Sequence, residues 1–144
     1  MMTMQTHEGM DVILDHFSNP RNYGGFEDPD IDVEGSNPGC GDVIRMQAHI
    51  GQAYADGEGV IRAVRFTGNG CTVSIAAASL LTTLLEGRTI EEAMRVPDQQ
   101  ILDSLEASLS PRRYACALLG YRLLRKGMVE YYHSRRVRSG DSTS

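Results

Sequence analysis

The sequence predicts an α+β fold, an antiparallel strand pair with a candidate short edge strand, followed by several helices. Two stretches alternate apolar and polar residues with period two, Val43 to Ile50 and Val60 to Phe66, across a turn-rich connection. After Cys71 the pattern turns helical and stays so to about His133. Strands followed by a run of helices are the signature of α+β architecture.

The elements follow in order. Asp11 to Phe17 carries Val12, Ile13, Leu14 and Phe17 at helical spacing, and Asn19-Pro20 ends it, because the residue before proline leaves the helical region. Arg21 to Asp30, with Tyr23-Gly24-Gly25 and Pro29, reads as a loop. Ile31 to Glu34 reads as a short edge strand, and Ser36 to Gly41 as a turn. The next strand puts Ile44, Met46, Ala48 and Ile50 on one face. The third puts Val60, Arg62, Val64 and Phe66 on one face and Ile61, Ala63 and Arg65 on the other. Antiparallel pairing suits two strands so joined. Thr72 to Glu86 is an alanine- and leucine-rich helix stopped by Gly87. Thr89 and Glu92 form a capping box for a short helix, and Pro97-Asp98 opens another over Gln99 to Ala107. Ser110-Pro111 opens the last, since proline's missing N–H costs nothing in a first turn.

With 144 residues, 41% of them hydrophobic, the chain suits one domain with one core. The expected organisation is a flexible N-terminus over 1–10, a single domain over 11–133 and a disordered tail over 134–144. No apolar run could span a membrane, and Met1 to Gly9 has no apolar signal core, so a cytoplasmic protein without a membrane role is expected. The net charge of −5 argues against nucleic acid as a partner. The basic residues gather late, from Arg112 and Arg113 through Arg122, Arg125 and Lys126 to Arg135, Arg136 and Arg138. They read as a solvated face or as a docking surface for an acidic partner.

Three well-separated cysteines do not make a disulfide framework. Either they pack as small hydrophobes or they converge on a metal. Cys40 lies in Pro38-Gly39-Cys40-Gly41-Asp42, between glycines that let backbone approach a ligand. Asp42, two residues on, shares its face in an extended segment. Cys71 follows Gly68-Asn69-Gly70 at a helix start, where backbone N–H groups and the dipole favour a thiolate. The glycines read as a mobile loop that gives its sulfur access. Cys116 lies in the first turns of the last helix, near Arg112 and Arg113. Each thiol alone reads as packing. Three thiolates and a carboxylate together make a four-ligand set for zinc or a cluster. His16 and His49 neighbour no cysteine and read as surface or boundary residues, and His7 and His133 lie near the ends.

At these residues the chain resembles the IscU/SufU/NifU-type iron–sulfur assembly family. The resemblance runs through Asp15-His16-Phe17-Ser18-Asn19-Pro20-Arg21-Asn22-Tyr23-Gly24 and Asn37-Pro38-Gly39-Cys40-Gly41-Asp42. It continues through Gly68-Asn69-Gly70-Cys71-Thr72-Val73-Ser74, Ala76-Ala77-Ala78-Ser79 and Arg113-Tyr114-Ala115-Cys116-Ala117, covering roughly residues 11 to 132. It implies a three-stranded antiparallel sheet covered by helices, with Cys40, Asp42, Cys71 and Cys116 gathered at one exposed end. It also implies a cysteine desulfurase that delivers persulfide sulfur to one of these thiols, and apo iron–sulfur proteins as recipients.

Two departures matter. IscU-type proteins carry histidine just before the last cysteine, where this chain has Ala115. Their chaperone-binding segment is replaced by Leu109-Ser110-Pro111-Arg112-Arg113, which argues against a dedicated Hsp70 partner. SufU-type proteins also lack that histidine, but carry an extra segment that the short stretch from Gly87 to Ser110 does not have. The chain sits between the branches. Two functions are therefore expected: a scaffold that assembles and transfers a [2Fe–2S] cluster, or a zinc-bound sulfur acceptor that activates a desulfurase. A third, a non-catalytic module with structural cysteines, carries the least weight. Iron or a [2Fe–2S] cluster is the first expectation for the bound group and zinc the alternative, and no nucleophile–base pair marks a self-sufficient enzyme.

Overall fold

In a computed structural model, residues 2–39, 41–52 and 59–143 are described, with side chains over 10–39, 41–51 and 59–134. The order is α1 (Met2–Ser18), β1 (Ile31–Asn37), β2 (Asp42–Gln52), β3 (Gly59–Asn69), α2 (Thr72–Leu85), α3 (Ile90–Met94), α4 (Asp98–Ser104) and α5 (Pro111–Thr143). The strands form one antiparallel sheet in the order β1-β2-β3, so the predicted α+β fold is the observed one.

One sheet face is the core. Ile44, Met46 and Ala48 of β2 are fully buried and pack with Ile75, Ala78, Leu81 and Leu85 of α2 and Leu118, Tyr121, Leu124 and Met128 of α5. α2 is the central helix, buried almost all round. Its Ala76-Ala77-Ala78-Ser79 run keeps the surface low enough for neighbouring helices to approach on two sides. A smaller core joins Ile13 of α1 to Val73, Ala76 and Ala77 of α2 and to Leu105, Cys116 and Ala117. The far edge of β3 is not left open: Gly24 donates to the Phe66 carbonyl and Phe66 to that of Asn22, which covers strand groups that would otherwise template aggregation.

Several details differ from expectation. β1 reaches Asn37, through residues assigned to a turn, because Ser36 and Asn37 pair with Val43 and Asp42. The simple alternation of β3 breaks. Ala48 pairs with Val64 and His49 with Ala63, but Ile50 pairs with Ile61, leaving Arg62 as an extra residue. This bulge resets the phase, so Ile61 is buried with Val64 and Phe66 while Arg62 is exposed. α4 ends at Ser104, not Ala107. α1 runs from Met2 and α5 through Thr143.

His16, expected near the surface, is buried. Its Nδ1 lies 2.7 Å from the Ser79 hydroxyl, which also accepts the Arg21 N–H at 2.8 Å. The Ser79 hydroxyl so bridges the ring and the Arg21 N–H, and ties α1 and the turn after it to α2. His49 behaves as a boundary residue, half-exposed, its ring tilted against Phe26 and 3.7 Å from Asp30.

Candidate metal centre

The site lies where the core-facing phase of β2 runs out. Asp42, Ile44, Met46 and Ala48 share the inner face, so the period that buries three apolar side chains also buries the Asp42 carboxylate. Asp42 thus points at the helices. It meets the start of α2, where the Cys71 N–H donates to Oδ1 at 2.8 Å and the Ser74 hydroxyl donates to Oδ2.

Cys71 is the N-cap of α2, and its sulfur accepts the Ser74 N–H at 3.4 Å. A helix N-terminus has unsatisfied N–H groups and a partial positive charge, so sulfur and carboxylate both sit where anions are favoured. Cys116, in the second turn of α5, is buried and approaches from the other side. Its sulfur accepts from the Asn37 amide at 3.6 Å. One donor atom each from Asp42, Cys71 and Cys116 lies within 4.8 Å of the other two.

The fourth expected residue, Cys40, lies outside the described residues. Its neighbours form the β1–β2 hairpin turn. The Gly41 N–H closes it onto the Asn37 carbonyl at 2.9 Å, and Gly41 has φ +72°, a left-handed angle that glycine adopts without cost. Asn37 so connects the turn to Cys116.

The glycines before Cys71 are not a mobile loop. Gly68 and Asn69 belong to β3. A Cβ on Gly68 would stand 2.2 Å from the Val43 carbonyl oxygen, and one on Gly70 would stand 2.7 Å from Asp42 Oδ1. Glycine is required for close approach: only backbone without a side chain lets β3 pass β2 and lets Cys71 reach the carboxylate.

Burial alone would raise the Asp42 carboxyl. The Ser74 hydroxyl, the Cys71 N–H, the Cys116 thiol and the Arg113 charge outweigh it and hold the group below the usual carboxylate value. Burial and the Asp42 charge push the Cys71 thiol up, but hydrogen bonds from the Ser74 side chain and N–H and from Cys116 bring it below an ordinary thiol. Two sulfurs and a carboxylate in this state suit a thiophilic metal or an iron–sulfur unit: soft donors select zinc and iron. Sequence reasoning missed Ser74 and Asn37 as partners of the donors. Ser74 had a usable signal, because it stands three residues after the N-cap, the spacing of a capping box.

Fold and site together define a class: small α+β proteins with a thiolate–carboxylate cluster at one end of the sheet. The chain belongs to the NifU-like N terminal domain family, whose model matches residues 8–138. It is 38% identical over 130 residues to iron sulfur cluster assembly protein 1, mitochondrial, of Debaryomyces hansenii, covering 88% of this chain and 69% of that one. It is 34% identical to the iron–sulfur cluster assembly scaffold protein IscU of Azotobacter vinelandii, over 87% of this chain and 94% of the relative. It is 35% identical to the zinc-dependent sulfurtransferase SufU of Bacillus subtilis, over 83% and 88%. Among solved structures, the N-terminal part of a nitrogen-fixing NifU-like protein from Brucella abortus superposes with a TM-score of 0.66 at 15% identity, covering 90% of this chain and 98% of that one, a likeness of fold.

Proposed function

We propose that the chain is an iron–sulfur cluster assembly scaffold that accepts sulfur from a cysteine desulfurase and passes a [2Fe–2S] cluster to apo-proteins. The observation that carries this is the convergence of Asp42, Cys71 and Cys116 from a strand end, a helix N-cap and a second helix. Cys40, two residues before Asp42 in the sequence, is the third thiol of the proposed set. The cluster is cargo: three thiolates and a carboxylate hold it, and the carboxylate is the harder, more exchangeable donor.

Of the two thiols whose surroundings are described, Cys71 is partly exposed and Cys116 buried. We assign sulfur acceptance to Cys71. Its thiolate attacks the outer sulfur of the desulfurase persulfide, a new S–S bond forms on Cys71, and the old one breaks with its electron pair leaving on the desulfurase cysteine. Arg112 and Arg113, exposed at the start of α5, supply the positive docking edge.

The zinc-bound sulfur acceptor is the second reading. The same four donors suit tetrahedral zinc, and one relative, 35% identical, is a zinc-dependent sulfurtransferase. Metal analysis and anaerobic reconstitution of wild type and the Cys→Ser variants at 40, 71 and 116 decide. The scaffold requires a visible cluster spectrum that each substitution reduces sharply. Uptake of zinc alone selects the sulfur acceptor, and an unchanged stoichiometry in any variant removes that thiol from the site.

A further inference from the structure

Ser74 is absorbed by neither reading, yet it touches two of the donors. It is buried, its hydroxyl donates to Asp42 Oδ2, and the same oxygen lies 3.4 Å from Cys71 Sγ. Its N–H also donates to that sulfur at 3.4 Å. Oδ2 and Sγ are 3.9 Å apart, so the hydroxyl stands between two ligand atoms.

A serine hydroxyl has one proton to give. While Cys71 is a thiol there is no conflict, because the S–H can donate to the serine oxygen and the serine to the carboxylate. A metal displaces the thiol proton. The hydroxyl then faces two anionic acceptors with a single proton, and rotation about its C–O bond serves either.

We infer that Ser74 is a positioning residue that sets how firmly Asp42 holds the bound metal, through the choice between these acceptors. With the proton on Oδ2, the carboxylate shares its charge with the hydroxyl and coordinates weakly. With the proton on Sγ, Asp42 is released to coordinate and Cys71 becomes the weaker donor. Either way one of the two bonds is held below full strength, which keeps the cargo exchangeable. Hydrogen bonds around first ligands are known levers on metal affinity.

The inference rests on the metal site proposed above, and the test separates the two. Cobalt(II) is loaded into wild type, Ser74→Ala, Asp42→Asn and the double variant, with urea unfolding of the metal-free proteins as a control for folding. The spectrum reports the donors, and chelator challenge gives the release rate. Ser74→Ala frees both atoms to bind fully. Release should slow by about tenfold, the order carried by a hydrogen bond to a charged group, with a shift in the sulfur-to-cobalt charge-transfer band. In the Asp42→Asn background the slowing should shrink to the part carried by the Cys71 sulfur, and Ser74→Thr should restore wild-type release. An unchanged rate and spectrum in folded Ser74→Ala, or an equal effect without Asp42, overturns the role of Ser74 while leaving the site standing. Failure of wild type to take up cobalt at all overturns both. If Ser74→Ala does not fold, Ser74→Thr and Ser74→Cys carry the comparison, and a threonine that releases metal unlike wild type sinks the idea.

Discussion

At the scale of single residues, the environment decides what an ordinary side chain does. His16 reads as a boundary histidine, but burial, its largest influence, lowers its pKa, helped by the Arg21 charge and opposed by Asp15. A histidine whose folded pKa is depressed contributes stability above its unfolded value, about 6.5. That contribution is lost as the pH falls below this value, because the unfolded chain takes up the proton first. Urea midpoints should drop between about pH 6.5 and 5 more steeply in wild type than in His16→Gln. Parallel curves would mean that the Ser79 contact is not linked to protonation. Ala115 is the second case, half-buried and adjacent to Cys116. An imidazole there adds a borderline donor beside the exchangeable carboxylate. Ala115→His should therefore lengthen cluster lifetime under anaerobic chelator challenge, read as decay of visible absorbance. Equal or faster decay would show that this position does not set lability.

At the scale of elements, the sequence marks where the chain turns but not why. Gly68-Asn69-Gly70 looks like a loop because glycine and asparagine favour turns. The meaning of the two glycines appears only once β2 lies beside β3, with Val43 and Asp42 in the space their side chains would occupy. Gly68→Ala should destabilise the fold by about 2 kcal/mol or more, since backbone rather than a flexible tip must move. Gly70→Ala should cost less stability but push the Asp42 carboxylate away and weaken zinc binding. Chemical denaturation and zinc titration of both variants distinguish the two effects. A Gly70→Ala protein with native zinc affinity would show that the carboxylate gives way freely. The bulge at Arg62 shows the same limit. Strict alternation is the best local reading of β3, and the extra residue is visible only in its pairing with β2.

For the whole molecule, the site joins elements far apart in the chain, so loading it should tie the fold together. Zinc at 100 times its dissociation constant adds about 2.7 kcal/mol if it binds only the folded chain. For a domain of this size that raises the thermal midpoint by about 8 °C, reversibly with EDTA. A midpoint indifferent to metal would argue against a site assembled by folding. The docking edge is tested by charge: Arg112→Glu with Arg113→Glu should weaken binding of a cysteine desulfurase, and salt should weaken it for wild type too. Isothermal titration reads both, and unchanged affinity would move the interface elsewhere on the surface.

The sequence alone determined the order and type of most elements, because periodicity, capping residues and glycine stops are local signals. It also determined which residues were candidates, because glycine-flanked cysteines and a nearby aspartate are unusual company for a packed thiol. The tertiary structure decided the rest. Asp42 is buried because it inherits the inward phase of β2. Cys71 meets it because a glycine leaves room, and Cys116 arrives on a helix some forty-five residues later in the chain. Local sequence encodes backbone preference and side-chain chemistry. Which donors share one point in space depends on register and close approach between distant elements, and that only the packed chain fixes.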